Sequence, residues 1–248
     1  MKRIIVEPHQ FQLSPTEIIL TPDQSHYLFR ILRLQNGDDI LVLDGAGKSY
    51  KGIIDQKKIV LGECVLLSEP ASRKICLAQV IPKGKKMDWI LQKSTEMGIN
   101  HIIPLYSQRS NVPTISKHKF DRWLRQVREA SRQCGRALVP TLSKPLPIMD
   151  WLSSPIEYET KVTLWEKADR NDLSVFQKTS SSLLMVIGSE GGFSDDEINA
   201  FSRTGFTVAH MGPRILRTET AAVVALSIIQ YLQGELRFPP SGSVDPSS

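Results

Sequence analysis

Between residues 183 and 229 the chain writes one local pattern twice: an apolar run, a glycine loop, then a helix. The first copy passes from Leu183 through Gly188-Ser-Glu-Gly-Gly192 to Ile198. The second passes from Phe206 through Gly212-Pro-Arg-Ile-Leu-Arg-Thr-Glu-Thr220 into the apolar stretch Ala221–Ile229. Strand, short loop and helix in succession is the signature of an α/β layer fold, and it places both loops at one edge of the sheet.

The alternation begins at Lys74. Candidate strands are 75–81, 101–105, 161–164, 183–187 and 206–210, and candidate helices are 86–97, 119–133, 195–203 and 218–236. Residues 1–70 differ: the β-branched runs Ile40–Leu43, Ser49–Ile54 and Ile59–Leu67, with turns at Asn36-Gly37 and Asp44-Gly45, predict a small β-barrel. One short helix is predicted from Asp23 through Leu32, entered at Thr21-Pro22. The expected organisation is therefore a β-barrel domain over 1–70, a linker at Ser68–Arg73, an α/β domain over 74–236, and a Pro/Ser-rich disordered tail over 237–248.

Charge is unevenly placed. The net +5 hides a segment, 73–136, with 14 Lys+Arg against 4 Asp+Glu, flanked by segments that are slightly acidic. Concentrated basicity suits nucleic-acid phosphates, although a solvated basic surface would look the same. No run approaches the length of a bilayer span, and the N-terminus lacks the apolar core of a secretory signal. Cys64, Cys76 and Cys134 are too far apart for a zinc site or a disulfide framework; they are expected as small buried residues of a reducing cytoplasm. No metal constellation is evident.

Gly45-Ala-Gly-Lys-Ser49 imitates a phosphate loop, but Val42 stands where its first glycine is needed and a strand follows, so it reads as a hairpin turn. The loop Gly188–Gly192 lets backbone approach a ligand closely. Ser194 with Glu197 forms a capping box, and Asp195 and Asp196 occupy the first helical turn. Those acids disfavour phosphate there, so a neutral or cationic ligand fits better, with Glu190 placed to face positive charge. In the second loop, Ile215 and Leu216 between Arg214 and Arg217 suggest a pocket wall, for instance around an adenine ring.

On the predicted helix 119–133, Phe120, Trp123, Leu124, Val127 and Ala130 fall on one face, and Arg122, Arg125, Arg128 and Arg132 on the other. Four neighbouring like charges repel, which an external anion such as RNA would relieve. Lys83, Lys85, Lys86 and Lys93 add to this field, with Lys83, Lys86 and Lys93 among the candidate RNA contacts, and Arg3, Arg30 and Arg33 are the candidates for contact in the first domain. Arg30 and Arg33 lie one helical turn apart.

The paired motifs Gly188-Ser-Glu-Gly-Gly-Phe-Ser194 and Gly212–Ala221 resemble the SPOUT class of methyltransferases, in particular the RsmE family. His26–Arg33 with Gly37-Asp38 resembles that family's PUA-like RNA-binding domain. Lys83–Gly98, Arg109-Ser110 and Glu129–Arg136 resemble the first half of its catalytic domain. One departure is Ser189, where the family commonly has proline.

The resemblance implies a C-terminal trefoil knot, a homodimer, and S-adenosylmethionine-dependent methylation of uridine N3 in 16S rRNA of the small ribosomal subunit, in the cytoplasm. It implies a cofactor site built from Leu164, Ile187, Gly188, Gly191 and Gly192, then Met211, Gly212, Ile215, Leu216, Thr220 and Ala221. Arg109 joins the expected RNA contacts. Uridine N3 bears a weakly acidic proton, so a cation near the base would stabilise the anion. Arg217 is the candidate for that role. Glu190 is a candidate proton acceptor, with a turn-anchoring role as its alternative. Two other readings stay open: a non-catalytic RNA-binding assembly factor, and a SPOUT enzyme acting at another RNA position.

Overall fold

The computed structural model describes residues 1–14, 16–65, 74–168, 175–176 and 181–236. The expected linker Ser68–Arg73, the end of the run Ile59–Leu67 and the tail 237–248 lie outside these residues. Two compact units emerge, Met1–Pro70 with Asp121–Thr141, and Ala71–Phe120 with Leu142–Ser248. The segment from Asp121 thus groups with the N-terminal residues, a long-range association that a linear cut near residue 70 does not express.

In the first unit, strands Lys2–Ile5, Glu17–Ile19, Asp39–Leu43, Ser49–Asp55 and Lys58–Val65 form one five-stranded sheet. Lys2–Ile5 runs parallel to Asp39–Leu43, and the other pairings are antiparallel. Alternation divides the side chains between two faces. Ile40 and Val42 join Ile4, Ile18, Leu28, Ile54 and Ile59 in one buried cluster. Leu41 and Leu43 pack with Ile5, Ala137 and Val139 on the other face. The phosphate-loop lookalike is a hairpin turn: Asp44 Oδ1 accepts from the backbone N–H groups of Ala46 and Lys48. Gly45 and Gly47 supply the positive φ that the turn needs (73° and 116°).

The helix predicted from Asp23 to Leu32 opens as Pro22–Ser25, capped by Thr21 and Gln24, and then widens into the π-helix His26–Ile31. Leu32 N–H donates to the Tyr27 carbonyl, five residues back. Arg33 then takes a left-handed conformation with φ of 57°. Arg30 and Arg33 therefore do not share a regular helical turn, as their spacing had suggested.

In the second unit the sheet runs Thr207–Ala209, Thr160–Leu164, Ser182–Ile187, Lys74–Val80 and His101–Tyr106, with short pairings by Thr141–Leu142 and Leu146–Pro147 at that edge. The five main strands are parallel. Both faces are covered, which is why the central strands read as continuous apolar runs. Cys76, Ala78 and Val80 face a core with Leu184, Val186, Trp151, Phe193, Phe201 and Phe206. Ile75, Leu77 and Gln79, on the opposite face, are equally buried.

Helices Lys86–Glu96 and Thr218–Leu232 pack together. The last helix stops short of residue 236, and Gly234 (φ 80°) follows its end. A short helix, Ile148–Leu152, was not foreseen. Of the cysteines, only Cys76 is buried; Cys64 and Cys134 are exposed, contrary to expectation, and all three are free. Among the described residues no helix is long and apolar enough to cross a membrane. Nor does any group of three His, Cys, Asp or Glu among them suit a metal.

Candidate functional site

Because the strands are parallel, the loops leaving Thr160–Leu164, Ser182–Ile187 and Thr207–Ala209 share the sheet's C-terminal edge. They enclose a cleft of about 440 Å³. Leu164 and Ile187 line it from the strand ends, Gly188, Gly191 and Gly192 from the first loop, and Met211, Gly212, Ile215 and Leu216 from the second, with Ala221 from the last helix. Glu190 and Arg217 line it too. Thr220 does not. Thr218 and Ala221 are three apart and share a helical face, whereas Thr220 lies off that face and is exposed. Ile215 is 82% exposed, so this wall stands open to solvent.

The glycines of the cleft are needed for different reasons. A Cβ on Gly191 would lie 2.6 Å from the Arg109 carbonyl oxygen, so backbone there leaves no room for a side chain. Gly192 (φ 65°) has the Glu166 carboxylate beside it, 3.3 Å from where a Cβ would stand. Gly212 has φ of 85° and nothing within 4 Å of its Cβ position. That open space is a cradle in which a ligand could meet bare backbone.

Sequence reading missed what ties the two loops together. The Thr218 hydroxyl donates to the Gly188 carbonyl at 2.5 Å, and it accepts from Gln79 Nε2 at 2.9 Å. Gln79 also donates to the Val80 carbonyl and stands 3.4 Å from those of Ile187 and Gly188. A fully buried glutamine inside the apolar run 75–81 was the signal available for it. Trp165, Glu166 and His210 also line the cleft unforeseen. His210 Nδ1 donates to the Gly212 carbonyl at 3.0 Å.

The capping box at Ser194 is present, but Glu197 does more than cap. Its carboxylate is buried and accepts from the Ser107 hydroxyl and from the backbone N–H groups of Gln108 and Ser194. Glu190 faces a cation of the protein itself: Lys86 Nζ lies 2.6 Å from its Oε1. Burial works to raise the Glu190 carboxyl. The hydrogen bonds from Lys86, its own backbone and the Lys83 backbone outweigh that, and hold it below the ordinary carboxylate value.

The expected RNA contacts fall into two groups. Arg30, Arg33, Lys83, Arg109 and Arg125 are exposed. The others are engaged. Arg3 donates to the Gln133 carbonyl, with its guanidinium packed over Gly135. Arg128 pairs with Glu7 at 2.9 Å. Arg132 pairs with Glu129 and stacks over the Tyr27 ring, 4.5 Å from its centroid. Lys93 pairs with Glu96. Part of the expected arginine repulsion is thus relieved internally, by a glutamate 121 residues away in sequence for Arg128. On the apolar face of the helix Lys117–Cys134, Trp123, Val127 and Ala130 are buried, but Leu124 is exposed.

Comparison with known proteins identifies the relatives of both domains. Residues 69–230 match a family model described as an RNA methyltransferase domain, and residues 20–64 one described as an RNA methyltransferase PUA domain. The chain is 30% identical over 254 residues to ribosomal RNA small subunit methyltransferase E of Bacillus subtilis, covering 96% of this chain and 99% of that one. It is 32% identical over 239 residues to the protein of the same name from Synechocystis, covering 93% and 77%. The crystal structure of a ribosomal RNA small subunit methyltransferase E from Neisseria gonorrhoeae, bound to S-adenosyl methionine, superposes with a TM-score of 0.83 at 27% identity, covering 94% of this chain and 98% of that one.

Proposed function

This chain belongs to the family of ribosomal RNA small subunit methyltransferase E, and from that membership we propose that it methylates N3 of a specific uridine in 16S rRNA, using S-adenosylmethionine. The observation that carries the proposal is the convergence of both glycine loops, Arg217 and Thr218 on one cleft.

The cleft suits the cofactor. Its volume of about 440 Å³ lies within the usual range for ligand pockets, roughly 300–1,000 Å³. The apolar side chains of Leu164, Ile187, Met211 and Leu216 can hold a purine, and the open space at Gly212 admits backbone contact. Asp195, Asp196 and Glu197 in the first turn of the following helix disfavour a phosphorylated ligand. When bound, S-adenosylmethionine supplies a methyl group already activated on a sulfonium.

Positioning then supplies much of the remaining rate. Arg217, exposed at the cleft and N-cap of the last helix, stabilises the uridine anion as the N3 proton passes to water. Glu190, held by Lys86, anchors its turn instead of receiving that proton. Arg30, Arg33, Lys83, Arg109 and Arg125 contact RNA phosphate. A homodimer acting in the cytoplasm on the assembled small subunit completes the proposal.

The test is to supply radiolabelled cofactor to small subunits, and separately to free 16S rRNA, both lacking the modification. Label entering RNA of the subunits supports the reading. Protein that binds no cofactor and transfers no label to either would overturn it in favour of a non-catalytic RNA-binding factor.

A further inference from the structure

Lys86 stands among the expected RNA contacts, yet its ammonium is already taken. It opens the helix Lys86–Glu96 and lies 2.6 Å from Glu190 Oε1, at the tip of the first glycine loop. It also lies 3.8 Å from Glu219 Oε2, in the first turn of the last helix. That Glu219 oxygen is buried and accepts no hydrogen bond from the protein. Glu190 Oε2 in turn accepts from the Lys83 backbone N–H at 3.4 Å. One ammonium therefore meets the carboxylates of both segments that wall the cleft.

Arg217 lines the same cleft as Glu190 and is the N-cap of the last helix, two residues before Glu219, and among the described residues the ion pairs of these acids are made with Lys86. Two carboxylates near an exposed guanidinium would capture it if no other cation answered them. We propose that Lys86 is a positioning residue of the methyl-transfer site: it joins the loop of Glu190 to the helix of Glu219 and, by neutralising both acids, keeps Arg217 uncommitted for the substrate. This rests on the function proposed above.

The role separates from RNA binding in its kinetics. Removing a cation that only holds RNA phosphate at the rim raises the RNA KM and reduces the salt dependence, while kcat stays near its original value. Removing a positioning residue lowers kcat at saturating RNA and cofactor. Lys86→Met keeps most of the side chain's length and removes the charge. It is expected to lower kcat by at least about tenfold, with the RNA KM within roughly twofold. Calorimetry without RNA should show cofactor binding weakened by about tenfold, since the first loop and the last helix are no longer joined. Lys86→Arg should restore both.

In Lys86→Met/Glu190→Gln one of the unanswered acids is gone, so kcat should recover relative to Lys86→Met alone; a purely structural role would make the double variant no better. An unchanged kcat in Lys86→Met with a raised RNA KM, or a double variant no better than the single, would overturn the inference. If Lys86→Met does not fold, Glu190→Gln and Glu219→Gln read the same join from the carboxylate side. Both should weaken cofactor binding, and normal binding in both would likewise overturn it. A wild-type protein that binds no cofactor refutes the proposed function itself, and is told apart at the first titration.

Discussion

The Thr218 hydroxyl donates to the carbonyl oxygen of Gly188 while accepting from the buried Nε2 of Gln79, so one side chain fastens the last helix, the first glycine loop and the central strand. These groups have little access to water, and losing the hydroxyl strands their polar atoms. Thr218→Val keeps the shape and removes the bonds. It should cost about 1–3 kcal/mol of stability, measured by urea denaturation, and weaken cofactor binding by calorimetry. Equal stability and binding would show that the bonds are incidental.

The glycines of the cleft should respond differently to the same small change. Gly191→Ala drives a methyl toward the Arg109 carbonyl, 2.6 Å away, where backbone must move. A loss of about 1–3 kcal/mol is expected. Gly212→Ala meets no neighbour but must keep a φ of 85°; the left-handed conformation costs about 1–2 kcal/mol. Because its methyl enters the open cradle, cofactor affinity should fall more than stability. Calorimetry and denaturation on both variants check the contrast.

How far these features could be read from sequence depends on the range of the interaction. The helix Asp195–Arg203 was predicted to the residue because Ser194 and Glu197 specify its start locally. The five main strands from Lys74 onward were placed within about two residues by apolar runs and glycines, whereas the short strands Thr141–Leu142 and Leu146–Pro147 were not predicted. Lys2–Ile5 was missed: a run of four residues becomes a strand by pairing with Asp39–Leu43, and nothing local announces that. The arginine helix was half legible. Its period showed the two faces, but Glu7 and Tyr27, which engage Arg128 and Arg132, are distant in sequence. The cleft followed from two glycine loops; the join through Gln79 and Lys86 required the fold.

The Lys86–Glu190 pair gives stability a pH dependence with two limbs. The Glu190 carboxyl is held below its ordinary value, so its contribution is present above the unfolded-state value and is lost as pH falls through the folded one. The Lys86 ammonium is raised, chiefly by its hydrogen bond with Glu190, so its contribution is full below the unfolded-state value and lost as pH rises through the folded one. Glu190→Gln should flatten both limbs in denaturation midpoints measured from acidic to alkaline pH. Unchanged limbs would show that the pair does not contribute.

The thiols offer a check on the fold itself. Burial pushes the Cys76 thiol up to about 12, against a smaller lowering by its hydrogen bond with Tyr158, while Cys64 and Cys134 are exposed. A thiol reagent at neutral pH should label Cys64 and Cys134 in the folded protein and reach Cys76 only on unfolding. Rapid labelling of Cys76 would contradict the packing of the central strand.

Arg217 is assigned the uridine anion. Arg217→Ala should leave cofactor binding nearly intact and lower kcat by about a hundredfold or more, with partial recovery in Arg217→Lys. Loss confined to cofactor affinity would move Arg217 from the reaction to the binding of S-adenosylmethionine.

Methylation at uridine N3 is most directly tested by the modified nucleoside itself. Small subunits lacking the modification are incubated with the protein and labelled cofactor, and their 16S rRNA is digested and resolved by mass spectrometry. The expected product is a single labelled nucleoside, N3-methyluridine, formed far more slowly when Arg217→Ala replaces the wild type. Label on a ribose oxygen, or on another base, would contradict it.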